Sequence, residues 1–498
     1  MLFNSYEFIL VFLPITLFLV LSLRRLGMVS ASLTLLCGAS LVFYAVWDWR
    51  FIGLLVGSIC INYLLISALS ARPRRWLMWI GIAVNLGLLG FFKYATFLGE
   101  NFAALAGGSF ETPDIVLPLA ISFFTLQQIS MLVDASLQPV ARPRFRDYAL
   151  YVSFFPQLIA GPIVRHGEML PQIRSIASRI DLVAFAMGVT LFAMGLLKKV
   201  ALADSLKPYA DVVFNGAEQT AASLGFIEAW LGALAFHFQI YFDFSGYSDM
   251  AIGLALMLGF RLPLNFNAPY KATSIIDFWR RWHLTLSRFL RDYLYIPLGG
   301  RRGGLGPQSA NIMLVMLIGG LWHGSSWNFV IWGGLHGVMI VANHLWRRFS
   351  GHSRGPSRAT TAVSVLLTTA GVVLAWVFFR AESLDGSLAM LAGMAGLNGL
   401  GTVTLGEPSL FDLAQSVALG GSALATLDAN VLLLIAIAFA MVWVLPASQE
   451  IVNYDPAARS GAALPIRYPA ATAALSGVGL SLALLALARP SEFLYFQF

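Results

Sequence analysis

The sequence predicts an all-α polytopic membrane protein of about 11 transmembrane helices plus re-entrant and interfacial helices. Three observations carry that reading. Of the 498 residues, 58% are hydrophobic and 11% charged, against about 25% charged in a soluble globular domain. Apolar runs long enough to cross a bilayer recur along the chain, since a spanning helix needs about 20 residues. Lys and Arg gather in alternate loops, the pattern of cytoplasmic flanks.

In order, the apolar segments fall at 5–23, 29–46, 51–69, 76–98, 115–137, 180–203, 222–243, 326–346, 361–380, 427–446 and 468–487. Shorter apolar pieces at 147–164, 246–260 and 311–322 read as re-entrant or half-spanning. The run Phe8 to Leu23 has no basic residue ahead of it, is followed by Arg24 and Arg25, and shows no cleavage site. It is expected to be an uncleaved first helix with the amino terminus outside. Arg72, Arg74 and Arg75, then Arg142, Arg144 and Arg146, mark cytoplasmic loops; Arg165, Arg174, Arg179, Arg354 and Arg358 continue the set. That places 261–310 in the cytoplasm and 396–426 outside as an external loop. No soluble catalytic domain interrupts the chain, so residues 1–498 read as a single membrane domain.

The same composition excludes other classes. The formal net charge of +7 sits in membrane-flanking loops, which argues against nucleic acid as a partner and for the lipid bilayer. Cys37 and Cys60 lie in apolar segments and form neither a disulfide framework nor a metal site. There is no His-Glu-x-x-His, and no metal is expected. A serine nucleophile is conceivable at Ser325 or Ser326, but no Gly-x-Ser-x-Gly elbow surrounds either to support it. The absence of a visible internal repeat counts against an inverted-repeat transporter.

Residues 311–346 predict a histidine-bearing hairpin. A short apolar run ends in Trp322-His323-Gly324-Ser325-Ser326-Trp327-Asn328, and a second run carries His336. Arg301 and Arg302 precede the pair and Arg347 and Arg348 follow it, so both ends face the cytoplasm and the polar tip lies deep in the membrane. The first run is too short to span alone. Non-helical polar backbone at that depth needs protein or a wet cavity around it, and an ionisable residue there is a functional candidate. His323 is the foremost one, because imidazole takes a proton near neutral pH. For His336, structural hydrogen bonding between helices and function both stay open. His344 and His352 sit at a basic loop and read as solvated.

Residues 277–294 predict a cytoplasmic interfacial helix. At 100° per residue Arg280, Arg281, Arg288 and Arg291 share an arc of about 100°, with aromatic residues opposite and His283 at the edge of the aromatic face. Such a helix anchors in lipid headgroups or pairs its guanidiniums with an anionic donor, for example the phosphates of a coenzyme A thioester. Asp243 and Asp249 need partners near a membrane core; an ion pair pinning helices is one role for Asp243, and orienting a catalytic imidazole is the other.

These segments resemble a known family. The stretches 278–300, 319–337, 239–253 and 154–163, together with 118–134, 197–204 and the terminal 493–498, are similar to the membrane-bound O-acyltransferases, above all the bacterial branch typified by the alginate O-acetyltransferase membrane subunit. The likeness is weak over 396–430. It implies tilted helices around a central catalytic channel in the bacterial inner membrane. His323, in Trp-His-Gly, and His283, in Arg-Trp-His, take the family's two histidine positions. The implied donor is acetyl-coenzyme A, with no tightly bound cofactor. The implied partners are periplasmic acetyltransferase proteins and a polysaccharide acceptor. His323 is then the general base, and His283 orients the donor or stabilises charge. Trp322, Ser325, Ser326, Asn328, Arg280, Arg281, Asp243 and His336 are the supporting set, with the 319–326 turn available to an oxyanion. A transporter or flippase for a polysaccharide precursor, and a non-catalytic scaffold, are the competing classes.

Overall fold

The computed structural model describes residues 1–110, 115–138, 140–178, 181–219, 224–350, 357–401, 429–457, 469–486 and 493–494. Among these residues the secondary structure is helical throughout. Among the described residues eight helical stretches are long and apolar enough to cross a membrane: Glu7–Arg25, Val29–Trp47, Trp49–Ala71, Arg75–Ala106, Leu182–Gln219, Leu305–His323, Trp327–Phe349 and Arg358–Arg380. Leu384–Met394 and Ala429–Val444 are shorter apolar helices. The expected segment at 115–137 is a 17-residue helix, Ile121–Leu137, with most of its side chains buried in protein. Of the expected external loop 396–426, residues 402–426 lie outside the described residues, as do Arg179, His352 and Arg354.

The chain folds as two compact units, neither continuous in sequence. The first holds Met1–Phe192, Ser248–Leu264 and Val452–Thr472. Its apolar helices are joined by buried polar contacts, which in a bilayer supply directional attraction that lipid cannot. Asn62 and Asn85 exchange amide hydrogen bonds of 3.2 and 2.7 Å across two helices. The buried Arg24 guanidinium donates to the Leu258 carbonyl at 2.7 Å. Residues 147–164 are all buried. Helix Phe145–Ser153 stops there and only the short Phe155–Leu158 turn follows. Irregular backbone, with Gly161 and Pro162 in it, is thus enclosed in protein, as polar backbone at membrane depth requires. Pro171, by contrast, sits inside helix His166–Ser175 without breaking it.

The second unit holds Ala193–Tyr247, Asn265–Ile451 and Ala473–Phe498. Three expectations change here. Residues 246–260 are not a separate half-spanning piece, because one helix runs unbroken over Phe226–Met257. Gly246 in it is a packing residue: an added Cβ would lie 2.7 Å from the Gly195 carbonyl oxygen. The first arm of the hairpin is longer than expected. It begins at Leu305 and has 19 residues, or about 28 Å of helix, because the polar Gln308, Ser309 and Asn311 are helical as well. The interfacial helix over 277–294 is not continuous. Ile275–Trp279 ends, residues 280–283 turn, and Leu284–Leu290 starts afresh.

Candidate active site

The break in that helix places His283. Asn267 N–H donates to the Arg281 carbonyl at 2.9 Å, and Leu284 N–H donates to the Asn265 carbonyl at 2.9 Å. A continuing helix would need the Leu284 N–H for Arg280, so the segment 265–267 withdraws it. His283 then adopts φ 42° and ψ 54° as the residue preceding the new helix. That left-handed conformation costs a non-glycine residue about 1–2 kcal/mol, and such strain is held where the surroundings over-determine it.

The hairpin places His323. Its two helices, Leu305–His323 and Trp327–Phe349, are joined by Gly324, Ser325 and Ser326. The arms touch backbone to backbone: a Cβ on Gly320 would sit 2.2 Å from the Phe329 carbonyl oxygen, and one on Gly333 would sit 2.3 Å from that of Met316. His323 is the last residue of the first arm.

Both histidines are buried, His283 with 0% and His323 with 4% of its surface exposed. Their ring centroids are 6.3 Å apart. Aromatic rings wall the pair. Trp322 lies 4.9 Å from His323 and 6.1 Å from His283. Trp332 and Phe379 lie 5.0 and 5.4 Å from His323, and Phe244 lies 4.8 Å from His283. His283 Nδ1 is 3.0 Å from Asn265 Oδ1, and Thr285 Oγ1 donates to the same oxygen at 2.9 Å. Burial pushes the His283 imidazole down to about 3, because a charged ring loses its hydration there. His336 is also fully buried. It accepts a hydrogen bond at Nδ1 from Trp279 Nε1 at 3.3 Å and packs 4.9 Å from Trp332.

Beside this aromatic cluster opens a cavity of about 680 Å³. Arg280, Arg288, Arg291, Arg301, His344 and Trp279 are among its lining residues. Four guanidiniums around one opening suit an anion, phosphate above all. Trp279 belongs both to the cavity wall and to the His336 hydrogen bond. Arg281 is not in the lining; it pairs with Asp277 at 3.0 Å and donates to the Asn267 carbonyl at 3.3 Å. His344 faces this cavity instead of standing at a solvated loop.

The other expected residues fall as follows. Asp243 meets Lys199 at 2.7 Å and accepts the Leu494 N–H at 2.9 Å; Lys199 also meets Asp204 at 2.7 Å. Both Asp243 oxygens are thus engaged in holding helix and tail together. Asn328 donates to the Ala381 and Ser383 carbonyls at 2.8 and 3.0 Å and ties the hairpin to the end of helix Arg358–Arg380. Ser325 and Ser326 are half-buried at the tip. Sequence reasoning missed Asn265, Thr285, Trp332, Phe379 and Arg301. Trp332 shares a helical face with His336 at a spacing of four, a signal that was available. Asn265 offered none. Among the described residues no group of three or more His, Cys, Asp or Glu is gathered as a metal would require.

Comparison with known proteins gives one consistent picture. The family model for MBOAT, the membrane-bound O-acyltransferase family, matches residues 79–380. A peptidoglycan O-acetyltransferase of Helicobacter pylori is 45% identical over 437 residues, covering 80% of this chain and 81% of that protein. A probable alginate O-acetylase AlgI of Azotobacter vinelandii is 42% identical over 406 residues, covering 79% of this chain and 78% of that protein. A teichoic acid D-alanyltransferase of Streptococcus thermophilus is 25% identical over 283 residues, 52% of this chain and 68% of that protein.

Proposed function

The chain belongs to the membrane-bound O-acyltransferase family, and from that premise we propose that it takes an acetyl group from cytoplasmic acetyl-coenzyme A and delivers it across the inner membrane for O-acetylation of a polysaccharide. That it is a multi-pass membrane protein and an O-acyltransferase follows from the family and its apolar helices. The donor, the direction and the partners are our reading.

One observation carries it: two buried histidines 6.3 Å apart stand beside a cavity rimmed by four arginines. The phosphates of the donor bind Arg280, Arg288, Arg291 and Arg301, and its thioester reaches past Trp279 toward the histidines. His323 takes the proton of an acceptor hydroxyl, and the oxygen attacks the thioester carbonyl. The carbon–sulfur bond then breaks, and the coenzyme A thiolate recovers the proton from His323. His283 orients the reacting groups. The ring of aromatic side chains excludes water that would hydrolyse the thioester. With the amino terminus outside, the basic loops and the donor cavity face the cytoplasm. The acetyl group passes outward to periplasmic partner proteins, which complete its transfer to an exopolysaccharide such as alginate. The external loop 396–426 is where those partners dock.

The test is polysaccharide acetylation in intact cells carrying His323→Ala, with the membrane level of the protein measured. Loss of acetylation at normal level supports catalysis at the hairpin. Normal acetylation sinks the mechanism and returns the weight to a scaffold or a transporter.

A further inference from the structure

We infer that Asn265 is a positioning residue that locks His283 in the tautomer with the proton on Nδ1, so that Nε2 presents its lone pair to the reaction. The assignment rests on the proposed acyl transfer for its catalytic meaning, and on geometry for the tautomer.

The backbone N–H of Thr285 points at Asn265 Oδ1 at 3.5 Å. A backbone amide only donates, so the end of the Asn265 side chain facing this helix start is its oxygen. Thr285 Oγ1 lies 2.9 Å from the same atom, as a donor hydroxyl should. Asn265 thus acts as a helix cap supplied from another segment, because His283 occupies the capping position with no side-chain cap of its own. With an oxygen 3.0 Å away, Nδ1 must carry a proton, since two lone pairs would otherwise face each other. In a neutral imidazole the other nitrogen is then an acceptor. The Asn265 carbonyl receives Leu284 N–H at 2.9 Å, so backbone and side chain of one residue hold the His283 ring and the two residues that follow it. Of the roles open to this histidine, donation to an oxyanion by the neutral ring is excluded. His283 instead accepts a hydrogen bond, from the acceptor hydroxyl or from protonated His323, whose ring centroid lies 6.3 Å away.

The experiment is nitrogen-15 NMR of the full-length protein labelled at histidine and held in lipid, with His283→Gln to assign the resonance. Protonated Nδ1 with bare Nε2 is expected. Bare Nδ1 or a doubly protonated ring at neutral pH overturns the inference, whatever the activity. Asn265→Asp keeps an acceptor oxygen and should keep the Nδ1 proton, with transfer within about tenfold of wild type. Asn265→Leu removes the acceptor; it should mix the tautomers and lower the transfer rate by about 100-fold with little change in KM for acetyl-coenzyme A. Unchanged tautomer and rate in Asn265→Leu also overturn it. Should Asn265→Leu fail to fold, the wild-type and Asn265→Asp spectra still decide. A wild-type protein with the expected tautomer and no acyl transfer supports the positioning role and refutes only the proposed function.

Discussion

Gly320→Ala sets helix propensity against packing at the histidine-bearing hairpin. By propensity alone the change should help, since alanine in a helix interior is favoured over glycine by about 1 kcal/mol. The structure reverses the sign. An added Cβ would lie 2.2 Å from the Phe329 carbonyl oxygen and 3.2 Å from Gly333 Cα, and both are backbone atoms that no rotamer change can move. The closest ordinary carbon–oxygen approach is roughly 3.3 Å, so the arms must part by about 1 Å. Overpacking of this kind costs about 1–3 kcal/mol, which exceeds the propensity gain. His323 lies three residues on, over the same face, and Phe329 leans on Phe379, which leans on His323 at 5.4 Å. A catalytic group displaced by about 1 Å can lose 100-fold in rate. Gly334→Ala on the facing arm is the control, because its nearest neighbour would be Leu317 Cδ2 at 3.6 Å, an ordinary contact. The assay is coenzyme A release by purified protein and O-acetyl content of the cell polysaccharide, each normalised to protein level. We expect Gly320→Ala to lose about 100-fold and Gly334→Ala to match wild type. A Gly320→Ala protein within twofold of wild type, or equal damage from both changes, refutes the argument.

Three further outcomes are expected. Arg288→Gln and Arg301→Gln should each raise KM for acetyl-coenzyme A by about tenfold, with the difference shrinking as salt rises, whereas Arg281→Gln should leave KM near wild type; steady-state kinetics at low and high ionic strength check this. Lys199→Met leaves the buried Asp243 and the half-buried Asp204 without their shared cation and should destabilise by about 3–5 kcal/mol, while Asp243→Asn keeps the Lys199–Asp204 pair and should cost less; thermal unfolding in detergent ranks the two. The His283 imidazole, pushed down to about 3 by burial, stays neutral in the native protein as pH falls, while the unfolded chain gains a proton near 6.5. Between those values stability falls with pH, by about 2 kcal/mol from pH 7 to 5 for this group; His283→Gln should lose less over the same interval, and an equal loss in unfolding scans refutes the assignment.

Fold class and candidate residues were legible because they depend on local chemistry. Long apolar runs must satisfy their own backbone in lipid, so helices follow from composition. The cluster Trp322 to Asn328 announced a turn between two helices because small and polar residues interrupt an apolar pattern, and the structure turns at Gly324 to Ser326. Basic residues around 277–294 announced an anion-seeking surface.

What failed did so where residues far apart in sequence meet. Helical periodicity put Arg281 beside Arg280 and Arg288, but the chain turns between them, so Arg281 pairs with Asp277 while Arg301 joins the cavity from beyond the motif. Of the two roles open to Asp243, the ion pair is the one the structure shows, with Lys199, while the Leu494 amide arrives from a segment that no local pattern could indicate. His283 could be picked out by residue type, yet its left-handed backbone and its bond to Asn265 arise because residues 265–267 take the hydrogen bonds a helix would have used. The sequence by itself determined a polytopic helical membrane protein and singled out two histidines as candidates. Only the tertiary structure decided which nitrogen faces which partner, because hydrogen-bond direction depends on the atom that ends up opposite, and periodicity along one segment carries no record of that atom.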